Sequence, residues 1–327
     1  MGGAEIMLHY WLKDLQQRGH PVKVLTTDER APGSQVYEGV EVVRADADMI
    51  AANWTWADVA ITQLRETVEA TRLGTAFHVP VIYLVHAPRA LEAHAVSDGA
   101  LAVFNAESVA RGSDFEGPRA LLHPPVDPAE YRTTPGDRIT LINLGMWKGG
   151  NLFWRLVREL PQRLFLAKAG GYSQQIVPGA IPANAELVRG DIGQSSAEMR
   201  DDVYRRTRVL LVPSAMETWG RVAIEAAASG IPVIAHPTPG LLESLGSSGL
   251  FVDRDDTAGW VAAIESLDDP ETYANYSRAV TERAHHLWRT TGRQLEHLDS
   301  LVGQIISKRQ AGISRGASAR TSVGIAH

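Results

Sequence analysis

The sequence of 327 residues contains no cysteine. Disulfide bonds, zinc sites built on thiolates and cysteine nucleophiles are therefore excluded. The sequence also lacks any apolar run near the roughly 20 residues that cross a bilayer. The best candidate, residues 79–85, begins beside a proline and is typical of a buried strand. Since no secretory signal opens the chain either, we expect a cytoplasmic protein without a transmembrane segment.

An excess of positive charge is missing as well. The 32 basic and 38 acidic side chains give a formal net charge of −6. Proteins built mainly to hold DNA or RNA depend on a positive field, so the composition argues against that class, although it is compatible with a local basic patch. With 44% hydrophobic and 21% charged residues, the chain can bury a sizeable core. Its length suggests two domains or one large one.

Short apolar runs alternate with helical patterns in the first part of the chain. The predicted strands are 22–27, 40–45, 58–62, 81–86 and 100–105, and the predicted helices are 4–19 and 65–77. This alternation is typical of a parallel, doubly wound sheet. Four prolines and a glycine between Pro124 and Gly136 interrupt it. Such a cluster indicates a domain boundary, which we place after residue 126.

The same alternation resumes in a second domain, residues 127–270. Strands are predicted at 139–145, 163–171, 185–191, 209–214, 231–236 and 249–256, with helices at 151–160, 196–207 and from Trp219 onward. Residues 271–307 are predicted to be helical and to cross back to the N-terminal domain, and residues 308–327 to form a disordered tail. Because ligands of such sheets bind at the carboxyl ends of the strands, candidate site residues should lie there.

The stretch ETWGRVAIEAAASG, residues 217–230, follows one of these strands. Glu217 is predicted to lie in the loop and Glu225 within the helix, one to two turns from its start. A carboxylate at that position can accept hydrogen bonds from a pair of sugar hydroxyls. The plain alternative is that Glu217 caps the helix and Glu225 faces solvent.

Free N–H groups at the start of this helix can hold an anion such as a diphosphate. Gly220 would let the backbone approach that ligand closely. The residues that offer these groups are Thr218, Trp219, Gly220, Arg221 and Val222.

Residues 212–245 resemble the signature region of family 4 of the retaining glycosyltransferases, which have the GT-B fold. The residues that match this pattern are Pro213, Ser214, Glu217, Glu225, Gly230, Pro232, Val233, Gly240 and Glu243. Four further segments agree with the family, namely GGAE at 2–5, RGHPVKVLT at 18–26, HPPVD at 123–127 and KGG at 148–150. The resemblance reaches to about residue 269 and implies two Rossmann-like domains that face a cleft.

The resemblance also implies an activity, the transfer of a sugar from a nucleotide diphosphate with retention at the anomeric carbon. Glu225 would then hold the ribose hydroxyls, and Glu217 would face the donor sugar. Lys148 would stabilise the diphosphate as it departs and gains charge, so that no metal cofactor is required. His86 matches a histidine that often touches the donor sugar, although it is equally a polar residue that ends a strand.

Other positions have weaker assignments to the donor. Gly2 and Gly3 belong to the glycine loop that the family carries to the cleft. Gly171 and Arg189 lie in loops that leave strands on the same edge. These two loops either flank the nucleobase or are simple turns.

The sequence departs from the family at the phosphate-binding position. Asn143 stands five residues before Lys148, where the family commonly has arginine. An amide cannot supply the missing charge. Either Lys148 fulfils that role together with the helix start, or Arg221 assists from the facing loop; the alternative for Arg221 is an ordinary surface arginine.

A second departure concerns the first strand of the N-terminal domain, which should precede GGAE but would have to end at Met1. A doubly wound sheet without this member exposes unpaired backbone groups. Three explanations are open: the sequence omits its true start, another segment or chain fills the gap, or the domain is degenerate. We favour the first.

Two alternative functions share these features. One is a nucleotide-sugar epimerase or hydrolase of the same fold, and the other is a non-catalytic subunit that binds nucleotide sugars. The acceptor is open among a glycan, a lipid, a small metabolite and a modified nucleic-acid base, and the basic tail permits peripheral association with an anionic partner. The acidic triplet 46–48 resembles the D-x-D metal motif of another glycosyltransferase fold, but we interpret it as a solvated loop.

Overall fold

The computed structural model describes residues 3–26, 33–37, 39–44, 46–87, 101–171, 173–190 and 195–321. The chain divides into two compact units. Unit 1 comprises Met1–Ile6 and His123–Thr291, and unit 2 comprises Met7–Leu122 and Gly292–His327. The chain enters unit 1 at residue 123, close to the boundary that the proline cluster predicted.

The strands of unit 2 are β1 (Lys23–Thr26), β2 (Ser34–Tyr37), β3 (Val40–Arg44), β4 (Ala60–Gln63), β5 (Val81–Val85), β6 (Leu101–Phe104) and β7 (Arg119–Leu121). They form two separate sheets, with orders β1-β3-β2 and β4-β5-β6-β7. All pairs are parallel except β2 with β3. Among the described residues no strand joins β1 to β4.

The helices of unit 2 are α1 (Gly3–Gln17), whose first residues belong to unit 1, α2 (Ala47–Trp56), α3 (Thr67–Phe77) and α4 (Glu107–Arg111). In the core, Met7 and Trp11 of α1 pack with Ile82 of β5 and Val103 of β6. The strands β5 and β6 are buried along their whole length, as their continuous apolar runs predicted. Sequence patterns missed β2, β7, α2 and α4.

The acidic triplet was interpreted wrongly, because it starts helix α2 and does not form a solvated loop. The Asp46 side chain accepts a hydrogen bond of 2.9 Å from the backbone N–H of Met49 and so caps the helix. An aspartate at this position satisfies one of the donors that a helix start leaves unpaired. The carboxylate thus has a structural role.

Unit 1 is built on β8 (Arg138–Ile142), β9 (Phe165–Lys168), β10 (Ala185–Val188), β11 (Thr207–Val212), β12 (Val233–Ala235) and β13 (Leu250–Phe251). Its sheet has the order β10-β9-β8-β11-β12-β13, and every pair is parallel. This is the strand order of a Rossmann fold, in which the direction of strand addition across the sheet reverses between β8 and β11. Ligands of such sheets bind in the crevice at that switch point.

The helices of unit 1 are α5 (Pro128–Tyr131), α6 (Gly150–Glu159), α7 (Ser196–Glu198), α8 (Arg221–Ala227), α9 (Pro239–Leu245), α10 (Thr257–Ser266) and the first part of α11 (Pro270–Thr321). Helix α6 buries Phe153 and Leu156 against Phe165 and Val209 of the sheet. The predicted helix 196–207 is found as α7, one π-helical segment and one 3₁₀ turn. Helices α9 and α10 were missed.

Helix α11 extends beyond the predicted limit of residue 307. It continues to Thr321, so residues 308–321 are helical where a disordered tail was predicted. Its residues from Gly292 onward belong to unit 2, where Leu295, Leu298 and Val302 join the core of that unit. None of the helices in the described ranges is long and apolar enough to cross a membrane.

Candidate active site

A cavity of about 290 Å³ opens in unit 1 at the switch point of the sheet. Leu141 and Ile142 at the end of β8 and Leu211 and Val212 at the end of β11 contribute to its wall. The predicted residues that line it are Gly3, Asn143, Lys148, Gly171, Glu217, Gly220, Arg221, Val222 and Glu225. Most of the predicted donor-binding residues therefore converge on one cavity.

Two loops meet at the rim of this cavity because Gly149 has no side chain. Gly149 adopts a left-handed backbone conformation with φ +93°, and a Cβ atom there would lie 2.3 Å from Cγ of Pro213. The backbone N–H of Ala215 donates a hydrogen bond of 2.8 Å to the carbonyl of Trp147. The glycine of the KGG motif and the proline of the PS motif thus bring the two loops into direct contact.

This contact places Lys148 beside Glu217. The Lys148 ammonium group forms a short ion pair with Oε1 of Glu217, and the Ser214 hydroxyl donates to the same oxygen at 2.9 Å. From the other side, the Arg254 guanidinium donates to the carbonyl of Trp147 at 3.0 Å. Lys148 and Glu217 are therefore held at the cavity by contacts that fix the two loops in which they lie.

A side chain at Gly149 is expected to break this arrangement. We expect Gly149→Ala to lower the free energy of unfolding by at least about 1–2 kcal/mol, because alanine is strained at positive φ and its Cβ would overlap Pro213. Chemical denaturation measures this change. Gly179→Ala is the matched control, since a Cβ there meets nothing within 4 Å, and it should change the same free energy by less than about 0.5 kcal/mol. Equal effects of the two substitutions would contradict the role of the contact.

The loop before α8 is fixed by a second close approach. A Cβ atom on Gly240 would lie 2.5 Å from the carbonyl oxygen of Glu217 and 2.3 Å from the carbonyl carbon of Thr218. Helix α9 thus packs directly on the backbone of the Glu217 loop. Gly220 has φ +83° and lies against Leu241 of the same helix. Gly240, one of the glycines of the family pattern, is therefore a packing residue within α9.

Helix α8 begins at Arg221, two residues later than predicted, because Gly220 is left-handed and forms its N-cap without a side-chain hydrogen bond. Trp219 is buried and stacks on His123, with ring centroids 4.2 Å apart. His123 in turn lies 3.5 Å from a carboxylate oxygen of Glu243. The cluster of Trp219, His123 and Glu243 thus supports the loop that precedes α8.

Glu225 is only 2% exposed, so it does not face bulk solvent as the plain alternative held. Its Oε1 pairs with the Arg221 guanidinium at 2.5 Å, and its Oε2 accepts a hydrogen bond of 2.5 Å from the Tyr204 hydroxyl. Arg221 also donates to the Tyr131 hydroxyl at 2.7 Å. The result is a buried chain of four groups, Tyr131–Arg221–Glu225–Tyr204, on the wall of the cavity.

Helix α5 positions Tyr131 in this chain. The Asp127 carboxylate caps the helix by accepting a hydrogen bond of 2.9 Å from the N–H of Ala129. The Ser229 hydroxyl, just after α8, donates to the carbonyl of Tyr131 at 2.8 Å. The aspartate of the HPPVD motif therefore acts by ordering the helix that holds Tyr131 against Arg221.

Burial determines the electrostatics of this chain. Burial alone would lower the pKa of Arg221, but the charge of Glu225 and the neighbouring tyrosines raise it above its ordinary value. Burial, and then the charge of Glu225, raise the pKa of Tyr204 well above its ordinary value. Arg221 is thus charged and Tyr204 neutral at physiological pH.

The raised pKa of Tyr204 predicts a loss of stability in alkali. Tyr204 is neutral in both states below pH 10, but above that value it ionises in the unfolded chain while it stays protonated in the folded protein. The free energy of unfolding should therefore fall by about 1.4 kcal/mol per pH unit for this group. Denaturation at pH 9 to 11 measures the slope, and Tyr204→Phe should show a smaller one. An identical slope in that variant would refute the assignment.

Asn143 has a structural role at the cavity. Its Oδ1 accepts hydrogen bonds of 3.0 Å from the N–H of Gly145 and from the Gln175 side chain. Its backbone is left-handed with φ +69°, a conformation that asparagine tolerates better than most residues. A Cβ on Gly171 would lie 2.4 Å from Nδ2 of Asn143. Asn143 therefore organises the loops at the ends of β8 and β9.

Residues 162–269 match the family model described as glycosyl transferases group 1. We refer to residues 162–269 as the group 1 segment. A D-inositol 3-phosphate glycosyltransferase from Corynebacterium kroppenstedtii is 37% identical over 100 residues, which cover 29% of this chain and 22% of that relative. The matched part of the chain thus spans about a fifth of the curated relative.

Solved structures show the fold of the whole chain. Sucrose-phosphate synthase from Thermosynechococcus elongatus superposes with a TM-score of 0.72 and 17% identity, covering 94% of each chain. HepE from Anabaena, solved in complex with UDP and glucose, also has a TM-score of 0.72, at 15% identity over 91% of this chain and 96% of that chain. The predicted GT-B fold with two Rossmann-like units is confirmed.

The group 1 segment contains only part of the cavity wall. Glu217, Arg221 and Glu225 lie within it, whereas Lys148 and Tyr131 precede it in the sequence. In the described ranges, no cluster of three His, Asp or Glu side chains is placed to hold a metal ion.

Four predicted residues do not line this cavity in the described structure. Thr218 and Trp219 lie in the loop before α8, and Arg189 is an exposed residue after β10. His86 belongs to unit 2, where its Nε2 lies 2.9 Å from the Gln63 side chain. Gly2 is outside the described residues. The predictions for these positions stay predictions.

Sequence analysis missed three residues of the cavity or of the chain behind it. Tyr131 had a signal, because Asp127-Pro128 is a typical helix start. Tyr204 and the buried Lys168 had none, because Tyr204 lies in a predicted helix and Lys168 lies within a predicted strand. Lys168 lines the cavity beside Ile142, its register partner in β8.

Proposed function

We propose that this protein is a glycosyltransferase that moves a sugar from a nucleotide diphosphate to an acceptor, with retention at the anomeric carbon and without a metal cofactor. The observation that carries the proposal is the convergence of Lys148, Glu217 and Glu225 on one cavity at the switch point of the unit 1 sheet. The group 1 segment and the GT-B fold support it. We place the reaction in the cytoplasm, in line with the cysteine-free composition.

Each residue has a defined task in this proposal. Glu225 accepts hydrogen bonds from the ribose hydroxyls of the nucleotide. Lys148 binds the diphosphate and stabilises the charge that develops on it as the bond to the sugar breaks. Glu217 then accepts hydrogen bonds from the donor sugar, since its position beside Lys148 is next to the leaving group. Helix α8, which has seven residues, contributes its backbone N–H groups near Gly220 to the binding of the donor.

The ion pair of Lys148 with Glu217 bears on how the two charges are compensated before and after the donor binds. Without a donor, each side chain neutralises the other at the rim of the cavity. A bound diphosphate offers Lys148 a second anionic partner, while sugar hydroxyls donate to Glu217. Both charges therefore stay compensated before and after the donor binds, which avoids the cost of an unpaired charge in a partly buried place.

A panel of nucleotide sugars tests the proposal, and UDP-glucose comes first because HepE was solved with UDP and glucose. Calorimetry measures binding, and chromatography measures nucleotide release with and without candidate acceptors. Release that depends on an acceptor supports a transferase. Release or isomerisation without an acceptor favours the hydrolase or epimerase, and binding without turnover favours the non-catalytic subunit.

Two further measurements test the finer parts. The anomeric proton coupling of the product should equal that of the donor if configuration is retained. Turnover should be unchanged after treatment with EDTA if no metal takes part. An inverted product would contradict retention, and loss of activity that is restored by a divalent cation would contradict metal independence.

A further inference from the structure

Arg221 of helix α8 bears on the proposed ribose site at Glu225. The side chain of Arg221, which is 18% exposed, lies on the wall of the cavity, one helical turn before Glu225. Residues separated by four positions lie on the same face of a helix. The arginine is therefore placed to act on that carboxylate.

Burying this arginine is unfavourable in itself. Its Nε–H group is buried without a hydrogen-bond acceptor among the described residues. Replacing a buried ion pair by apolar side chains of similar volume is often neutral or stabilising. Stability of unit 1 is therefore a weak explanation for an arginine at this position, and its effect on Glu225 is a better one.

The hydrogen-bond capacity of Glu225 indicates what that effect is. An ionised carboxylate has about four lone-pair sites. Arg221 occupies one on Oε1 and Tyr204 one on Oε2, each at 2.5 Å. About two sites are left, one on each oxygen, which equals the number of donors in the 2′- and 3′-hydroxyls of a ribose. The two protein contacts also fix the plane of the carboxylate.

We propose that Arg221 is a positioning residue that orients the carboxylate of Glu225, and that this makes the cavity selective for ribonucleotides over 2′-deoxyribonucleotides. The inference rests on the proposed function, because it deepens the role of Glu225 in that site. Tyr131 supports Arg221 through the hydrogen bond at its hydroxyl. Tyr131 thus acts on Glu225 through Arg221.

Calorimetry with paired ligands tests this inference. The dissociation constants of UDP and 2′-deoxy-UDP are measured for the wild type, Arg221→Met and Arg221→Lys, with GDP and ADP and their 2′-deoxy forms as a parallel series. We expect the wild type to prefer the ribose form by about tenfold or more, as for a hydrogen bond to a charged group. Arg221→Met should reduce this preference to about twofold or less, and Arg221→Lys should restore part of it.

The outcomes separate the inference from the proposed function. If the wild type binds none of the nucleotides, the proposed function is overturned. If it binds them without regard to the 2′-hydroxyl, or if Arg221→Met keeps the full preference, only the inference fails. Tyr131→Phe is a second variant that keeps the charge at Arg221 and removes one hydrogen bond. It should lower the preference by a smaller factor, and an unchanged preference in both variants contradicts the inference.

Discussion

Lys148→Met is expected to slow the turnover of the nucleotide-sugar donor by about 10²–10³-fold, the effect of removing one fixed group that stabilises charge in the transition state. Lys148 lies at the cavity in contact with Glu217, so the substitution removes the cation to which the proposal assigns the leaving group. Affinity for the intact donor should fall less than the rate, because the diphosphate gains charge only as the bond breaks. Steady-state kinetics with the donor that the panel identifies separates the two effects.

The control for this experiment is Lys308→Met, which makes the same chemical change at an exposed position of α11. It should leave turnover within about twofold of the wild type. Lys148→Arg keeps the charge but changes its geometry, and it should retain part of the rate. If Lys148→Met turns over the donor as fast as the wild type, Lys148 does not stabilise the leaving group.

Glu225→Ala is expected to lower the free energy of unfolding by about 3–5 kcal/mol, because it leaves the buried Arg221 charge without its partner. The double substitution Glu225→Ala with Arg221→Met should recover a large part of that loss, since it removes both charges. Glu159→Ala, at an exposed position of α6, is the control and should change the same free energy by less than about 0.5 kcal/mol.

Chemical denaturation followed by tryptophan fluorescence measures these differences. Nucleotide binding should also be lost in Glu225→Ala, although the double variant should not regain it. Stability and binding thus respond differently to the second substitution. If Glu225→Ala is as stable as the wild type, the ion pair in α8 is not a coupled buried unit.

Much of the fold could be predicted from the sequence, because the strands of both units are short apolar runs. The all-parallel order of the unit 1 sheet follows from the alternation of such runs with helices. The short edge elements were harder to find. Strand β2 is exposed along its length and has no apolar pattern, and α2 starts at an acidic triplet that resembles a loop. Their pairing and capping depend on neighbours that the local sequence does not reveal.

Part of the candidate site could also be predicted from the sequence. Lys148, Glu217 and Glu225 carry family motifs, so their convergence could be expected before the structure was known. The tyrosines around Glu225 could not be predicted. Tyr204, which donates to Glu225, and Tyr131, which accepts from Arg221, lie far from these residues in the sequence and approach them only through folding. The structural role of Asn143 could not be predicted either. Its side-chain oxygen accepts hydrogen bonds from Gly145 and Gln175, and asparagine in place of the family's arginine does not indicate these contacts.

Within the described ranges, β1 and β4 each lie at an edge of their sheet in unit 2. Their residues are mostly half-buried, in contrast to the fully covered β5. Amide protons on β1 and β4 that lack a ladder partner should exchange with deuterium sooner than those of β5 and β6. The same edges can also recruit extended segments of other molecules, so concentrated preparations of this chain carry a risk of strand-mediated association.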